Sequence, residues 1–159
     1  MISMKIALGA DHAGFELKDT IKQHLEQRGV EVCDEGTWSG ESVDYPDYAR
    51  AVAHDVGRQR ADLGILVCGS GIGMAITANK VDGIRAANVS TELEAELSRQ
   101  HNNANVLALG ARILKPDEAL RIVDKWLATP FAGGRHERRV EKISAIEQEE
   151  DKAGPARDF

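Results

Sequence analysis

This chain of 159 residues has little of what marks several large protein classes. Its two cysteines, Cys33 and Cys68, are too few for a disulfide framework, and in a reducing cytosol both are expected as thiols. Aromatic residues make up 4% of the chain, so its core has to be built from aliphatic side chains. There is no signal-peptide apolar segment and no apolar run of membrane-spanning length, which predicts a soluble, cytoplasmic protein with no membrane partner. Basic residues are outnumbered, 20 Lys and Arg against 26 Asp and Glu, and the net charge of -6 argues against nucleic acid as the main partner. A local group of arginines remains able to hold a small anion.

What is present is an alternation of strand and helix patterns over a length that suits one domain. Lys5 to Gly9 reads as a first strand, and Leu17, Ile21 and Leu25 recur at helical spacing before Gly29 closes that helix. Val30 to Cys33 is a second strand. Pro46 suits the first turn of a helix whose inner face is Tyr48, Val52 and Val56. The run from Leu63 to Cys68 is apolar without alternation, as in a central parallel strand covered on both faces. A helix follows Gly73, Ile84 to Asn88 is a fourth strand, and Thr91-Glu92-Leu93-Glu94 is a capping box opening the next helix. Val106 to Leu109 and Pro116 to Leu127 complete the series. The predicted fold is α/β: a doubly wound, Rossmann-like sheet of five parallel strands with right-handed crossovers. Residues 1–150 form the domain, and residues 151–159, with Gly154 and Pro155 and no apolar pattern, are expected to be a disordered tail.

The chemistry gathers where the third strand ends. Cys68 opens Gly69-Ser70-Gly71-Ile72-Gly73, whose three glycines let the backbone turn sharply and present several N–H groups, just before a helix whose N-terminus favours an anion. Taken alone, Cys68 reads more readily as a small buried hydrophobe. The pattern lacks the third glycine or alanine of a dinucleotide fingerprint, and no lysine follows Gly73 as a P-loop requires, so no nucleotide cofactor is expected. No carboxylate and histidine cluster stands at ligand spacing either, and no metal is expected.

Ligands of open α/β sheets bind at the carboxyl ends of the strands. Asp11-His12 ends the first strand there, although it also reads as a polar turn capping a helix, and the loop around Asp44-Tyr45-Pro46 follows the second. His101-Asn102-Asn103 instead terminates a helix, where a histidine is also favoured by the dipole. His24 and His54 lie within helices without an evident partner and are read as structural.

After Gly133-Gly134, Arg135-His136-Glu137-Arg138-Arg139 leads into an amphipathic pattern of Val140, Ile143 and Ile146. Cations in a first helical turn oppose the dipole by up to about 1 kcal/mol each, a penalty that an anion held between Arg135 and Arg139 would reverse. A solvated charged face is the plainer reading. A thiol base, an amide nest, two histidines able to move hydroxyl protons and an arginine pair for phosphate together suit aldose-ketose isomerisation of a sugar phosphate through an enediolate. An ordinary thiol is only roughly 3% ionised at pH 7, and hydrogen bonds to sulfur favour the anion.

Five separated motifs in order sharpen this. Gly9-Ala10-Asp11-His12-Ala13-Gly14-Phe15, Asp44-Tyr45-Pro46, Cys68 through Gly73, Ser98-Arg99-Gln100-His101-Asn102 and Gly133-Gly134-Arg135-His136 resemble the type B ribose-5-phosphate isomerase family, over residues 4–150. That family includes allose-6-phosphate and galactose-6-phosphate isomerases. The resemblance implies a cofactor-independent isomerase in which Cys68 shuttles the proton between C1 and C2, Ser70 bonds the thiolate or a substrate oxygen, and Gly69, Ser70, Gly71, Ile72 and Gly73 form an anion hole. It implies that His101 opens the furanose ring, with Asp11 and His12 near the ring oxygens and Asn102 on the substrate. Tyr45 would pack at the site, and Arg112, Arg135 and Arg139 would hold the phosphate. The implied assembly is a homodimer or dimer of dimers, with the C-terminal helix reaching a neighbouring subunit. Met4 matches the family's usual start better than Met1, so Met1 to Ser3 reads as an extension. A catalytically silent sugar-phosphate-binding subunit on the same fold is the competing reading.

Overall fold

Alternation of side chains across each strand is what gives this sheet its two covered faces. A computed structural model describes residues 3–154. The strands are β1 (Lys5–Ala10), β2 (Glu31–Asp34), β3 (Leu63–Cys68), β4 (Ala86–Asn88) and β5 (Val106–Gly110). The helices are α1 (Phe15–Gln27), α2 (Tyr45–Gly57), α3 (Ile72–Ala78), α4 (Glu92–Asn102), α5 (Pro116–Ala128) and α6 (Arg135–Ala153). All strand pairs are parallel, in the order β2-β1-β3-β5-β4, so β3 is central and β4 is an edge. Among the described residues no helix is long and apolar enough to cross a membrane.

Ile6, Leu8, Ile65, Val67, Leu107 and Leu109 face one way and pack against α1, α4 and α5, with Trp126 the largest buried side chain there. Ala7, Leu66, Cys68, Val106 and Ala108 face the other way, against α2 and α3. The small residues on this second face let α2 come close: a Cβ added at Gly64 would lie 2.7 Å from Val52. The Cys68 side chain therefore belongs to the α2/α3 face, and that placement decides what can surround it.

Elements β1, β2, β5 and α5 shift by a single residue from the sequence reading, and three further boundaries differ from it. Strand β4 starts at Ala86, two residues later than expected, because the Arg85 N–H donates to Asn105 Oδ1 at 2.7 Å and is lost to the ladder, while Ile84 turns into the α3 face. Helix α3 starts at Ile72, so Gly73 lies inside it and not in the turn before it. Helix α6 continues to Ala153, past the boundary placed at 150; residues 155–159 of the expected tail, and residues 1 and 2, lie outside the described residues.

Half of the expected capping box is formed: Thr91 Oγ1 accepts the Glu94 N–H at 3.1 Å, while the Glu94 carboxylate reaches past the cap residue to the Ser90 N–H at 3.0 Å. His24, for which the sequence suggested no partner, joins α1 to α5 through Asp124 at 2.7 Å.

Candidate active site

Cys68 is the last residue of the central strand, and the chain leaves it through a turn that bends back on the sulfur. The Gly71 N–H donates to Cys68 Sγ at 3.1 Å, and the Ile72 N–H to Ser70 Oγ at 3.2 Å. Gly71 has φ +82° and a Cβ there would sit 2.4 Å from Asn88 Nδ2, so only glycine fits. Asn88 donates that amide to Ser70 O and Ala108 O, which ties the turn to the edge of the sheet. From the turn just after β5, the Ala111 N–H holds Cys68 O at 2.8 Å and the Arg112 N–H holds Gly69 O at 2.9 Å. The first helical bond of α3 is Ala75 N–H to Gly71 O, so the N–H groups of Gly73 and Met74 head the helix in front of it.

Two glycines serve contact where turning was expected. At Gly73 a Cβ would stand 2.6 Å from the Tyr45 ring, and at Gly69 one would stand 3.1 Å from Arg112 Nη1. Tyr45, the first residue of α2, thus lies on α3, and the Arg112 guanidinium lies over the turn that carries the thiol. The sequence placed both residues at the site but offered no sign of these contacts, since each depends on a chain segment far away. Asn88 was missed for the same reason.

Asp11 and His12 complete this cluster at the end of β1. The Asp11 carboxylate accepts from Ala13 N–H at 2.9 Å and Gly14 N–H at 3.0 Å, while its own N–H donates to Val67 O at 3.2 Å. The polar turn is thus formed, but α1 opens at Gly14 without a side-chain cap, and Asp11 fastens the turn beside β3 instead. His12 accepts the Val43 N–H on Nδ1 at 3.1 Å.

His101, Asn102, Arg135 and Arg139 are elsewhere. Helix α4 begins after β4 ends and returns to the start of β5, so His101, five residues before Val106, lies near the amino end of the sheet. Cys68 pairs in register with Gly110, four residues beyond Val106, which separates the two by roughly 13 Å of strand length. His136 stacks on His101 with ring centroids 4.2 Å apart and planes 14° from parallel. Desolvation, then the charges of His101, Arg135 and Arg139, press the His136 imidazole below its ordinary value. Asn102 lines a cleft of about 700 Å³ between α6 and the β4 side of the molecule. Of the apolar face expected on α6, only Val140 is buried; Ile143 and Ile146 remain 47% and 60% exposed. Glu147 accepts the Gly83 N–H at 2.5 Å on the chain's own body.

Cys33 is a different thiol. Burial, followed by its hydrogen bond to Glu35 at 3.2 Å and the charges of Glu35 and Asp55, pushes it up to about 11. The ligand atoms of Cys33, Glu35 and Asp55 lie within 4.8 Å of one another, a grouping the sequence did not suggest.

The family described as Ribose/Galactose Isomerase matches residues 6–143. Ribose-5-phosphate isomerase B of Escherichia coli is 56% identical over 144 residues, which cover 91% of this chain and 97% of that protein. The structure of Clostridium thermocellum ribose-5-phosphate isomerase B superposes with a TM-score of 0.91 at 52% identity, covering 92% of this chain and 99% of the other. Ribose-5-phosphate isomerase B of Mycoplasma genitalium, solved with bound ribulose-5-phosphate, superposes at 0.90 with 44% identity, over 94% of this chain and all of that one.

Proposed function

The chain belongs to the ribose/galactose isomerase family, and from that premise we propose that it interconverts ribose 5-phosphate and ribulose 5-phosphate without a cofactor. The observation that carries the reading is the thiol of Cys68 at the carboxyl end of the central strand, hydrogen-bonded by Gly71 N–H and overhung by Arg112.

In the direction from aldose to ketose, Cys68 as thiolate takes the proton from C2, electrons move toward the carbonyl oxygen at C1 to give the enediolate, the C2 hydroxyl proton passes to O1, and the same sulfur returns its proton to C1 as the carbonyl forms at C2. The charge developing on oxygen meets the N–H groups that head α3. Ser70 Oγ, already accepting from Ile72 N–H, retains its own hydrogen to donate to an oxygen or to the sulfur. Asp11 holds the β1 turn so that His12 faces the same space.

Ring opening and the rest of the phosphate grip belong to a second copy of the chain in this reading. His101 and Arg135 cannot serve the thiol of their own chain from the amino end of the sheet, whereas a two-fold dimer brings that end of one copy to the carboxyl end of the other twice over. Support comes from the flank around edge strand β4, where Ile72 and Ile76 of α3 and Leu93 and Leu97 of α4 are exposed. The first turn of α6, carrying Arg135 and Arg139 behind the positive-φ pair Gly133-Gly134 and beside His101, is then what reaches the neighbour, while the rest of the helix stays on its own chain.

The test is turnover of ribose 5-phosphate, allose 6-phosphate and galactose 6-phosphate by the same preparation, with and without a chelator. The expected result is the highest kcat/KM for ribose 5-phosphate, unchanged by chelation. A hexose phosphate preferred over ribose 5-phosphate overturns the substrate assignment. Absence of turnover with all three favours a silent binding subunit.

A further inference from the structure

We propose that the segment joining β2 to α2 sets the chemical role of His12: the Val43 N–H fixes the neutral imidazole as its Nε2–H tautomer, so that His12 meets the substrate as a hydrogen-bond donor and never as a base. The role in substrate contact rests on the isomerase reading above; the tautomer rests on geometry alone.

A backbone N–H can only donate. With Val43 N–H directed at His12 Nδ1 over 3.1 Å, that nitrogen must carry its lone pair, and the ring hydrogen of a neutral imidazole then sits on Nε2. What makes this a property of the fold is that the segment is fixed at both of its ends. At its start the β1–β2 ladder runs on past β2: Glu35 N–H donates to Leu8 O, Ala10 N–H to Gly36 O and Thr37 N–H to Ala10 O, at 2.8, 2.7 and 2.7 Å. The Asp34 carboxylate anchors that stretch, accepting Gly36 N–H at 2.9 Å and both bonds of Lys18 Nζ at 2.7 and 2.9 Å. Lys18 itself is fully buried, so the anchor is not a solvated surface pair. At the other end Asp44 and Tyr45 open α2, and the Tyr45 ring is packed on Gly73. Val43 itself is held from its C-terminal side, where Asp44 and Tyr45 begin α2 directly after it, while the exposed residues 38–42 separate it from the Asp34 anchor.

The consequence is a division of labour. Nε2–H seeks an oxygen lone pair, such as a phosphate, ring or carbonyl oxygen, and cannot accept a hydroxyl proton. Within one copy, Cys68 is then the acceptor of protons and His12 a donor of a hydrogen bond.

The experiment reads nitrogen chemical shifts of the His12 ring in the unliganded, 15N-labelled protein at about pH 8, with the His12→Gln variant identifying the signals. A pyridine-like Nδ1 and a pyrrole-like Nε2 are expected. A pyrrole-like Nδ1, or two averaged shifts, overturns the proposal whether or not the protein is an isomerase. A second arm compares His12→Gln, whose amide nitrogen can occupy the place of Nε2, with His12→Asn, whose amide reaches only the place of Nδ1. The glutamine variant should retain at least about tenfold more kcat/KM than the asparagine variant. Equal losses in both overturn the donor role even if the tautomer is as stated, while an inactive wild-type protein defeats the isomerase reading and leaves the nitrogen shifts to stand by themselves.

Discussion

Cys33 and Cys68 lie on strands that flank the same neighbour, β1, yet their surroundings differ. Cys68 receives a backbone N–H on sulfur, whereas burial first, and then the Glu35 hydrogen bond and the charges of Glu35 and Asp55, push Cys33 up to about 11. At pH 8 a thiol so placed is roughly one part in a thousand thiolate, and the thiolate is the form that alkylates. Iodoacetamide at that pH should label Cys68 at least about tenfold faster than Cys33, with activity lost in step with the Cys68 adduct, as read by peptide mass. Labelling of Cys33 first would contradict the assignment of Cys68 as the working thiol. At this scale the sequence was informative where function is local: a cysteine ending an apolar run beside three glycines is visible in eleven consecutive residues. It was silent where a residue works through a distant one. Gly73 is small for the sake of Tyr45, and nothing near either residue says so.

Among the elements, α1 carries the least expected burden. Lys18 sits between the apolar positions Leu17 and Ile21 and is fully buried on Asp34. Burial by itself would raise the Asp34 carboxyl; hydrogen bonds from Lys18 and Gly36 N–H, with the Lys18 charge and the bond from Lys22, prevail and hold it below the ordinary value. An acid whose folded value is lowered contributes stability above its unfolded value and loses it as the pH falls through the folded one. Asp34→Asn should therefore cost about 3 kcal/mol near neutrality, the low end for breaking a buried pair. The reason for the low end is Asp19, which still stands 3.5 Å from Lys18 Nζ. Urea unfolding across a pH series should show the gap between the wild type and this variant closing in acid. A gap that stays constant would contradict the ion-pair account. The order and type of the elements were otherwise legible, because hydrophobic period, capping residues and terminal glycines are short-range signals. The Lys18–Asp34 pair was not, since its partners are 16 residues apart.

For the molecule as a whole, the decisive fact is that its reactive residues divide between two ends of one sheet. Cys68, Ser70, Asp11, His12, Tyr45 and Arg112 gather at the carboxyl ends of the strands, while His101 and Arg135 lie with His136 toward the amino end. Motif spacing revealed both groups but not their separation, which follows from the direction in which α4 returns to β5. The measurement that tests a site shared between two copies mixes two inactive parents, Cys68→Ala and His101→Ala, under conditions that exchange subunits. Helix α4 is packed into the body of its own chain, so His101 has no hinge by which to reach its own thiol. In a hybrid dimer one site inherits both lesions and the other neither. With random exchange half of the dimers are hybrids, each with one intact site, so activity should rise from nothing to about a quarter of the wild-type value. Activity that stays at the level of the parents, with heterodimers demonstrated by native mass, would contradict the shared site.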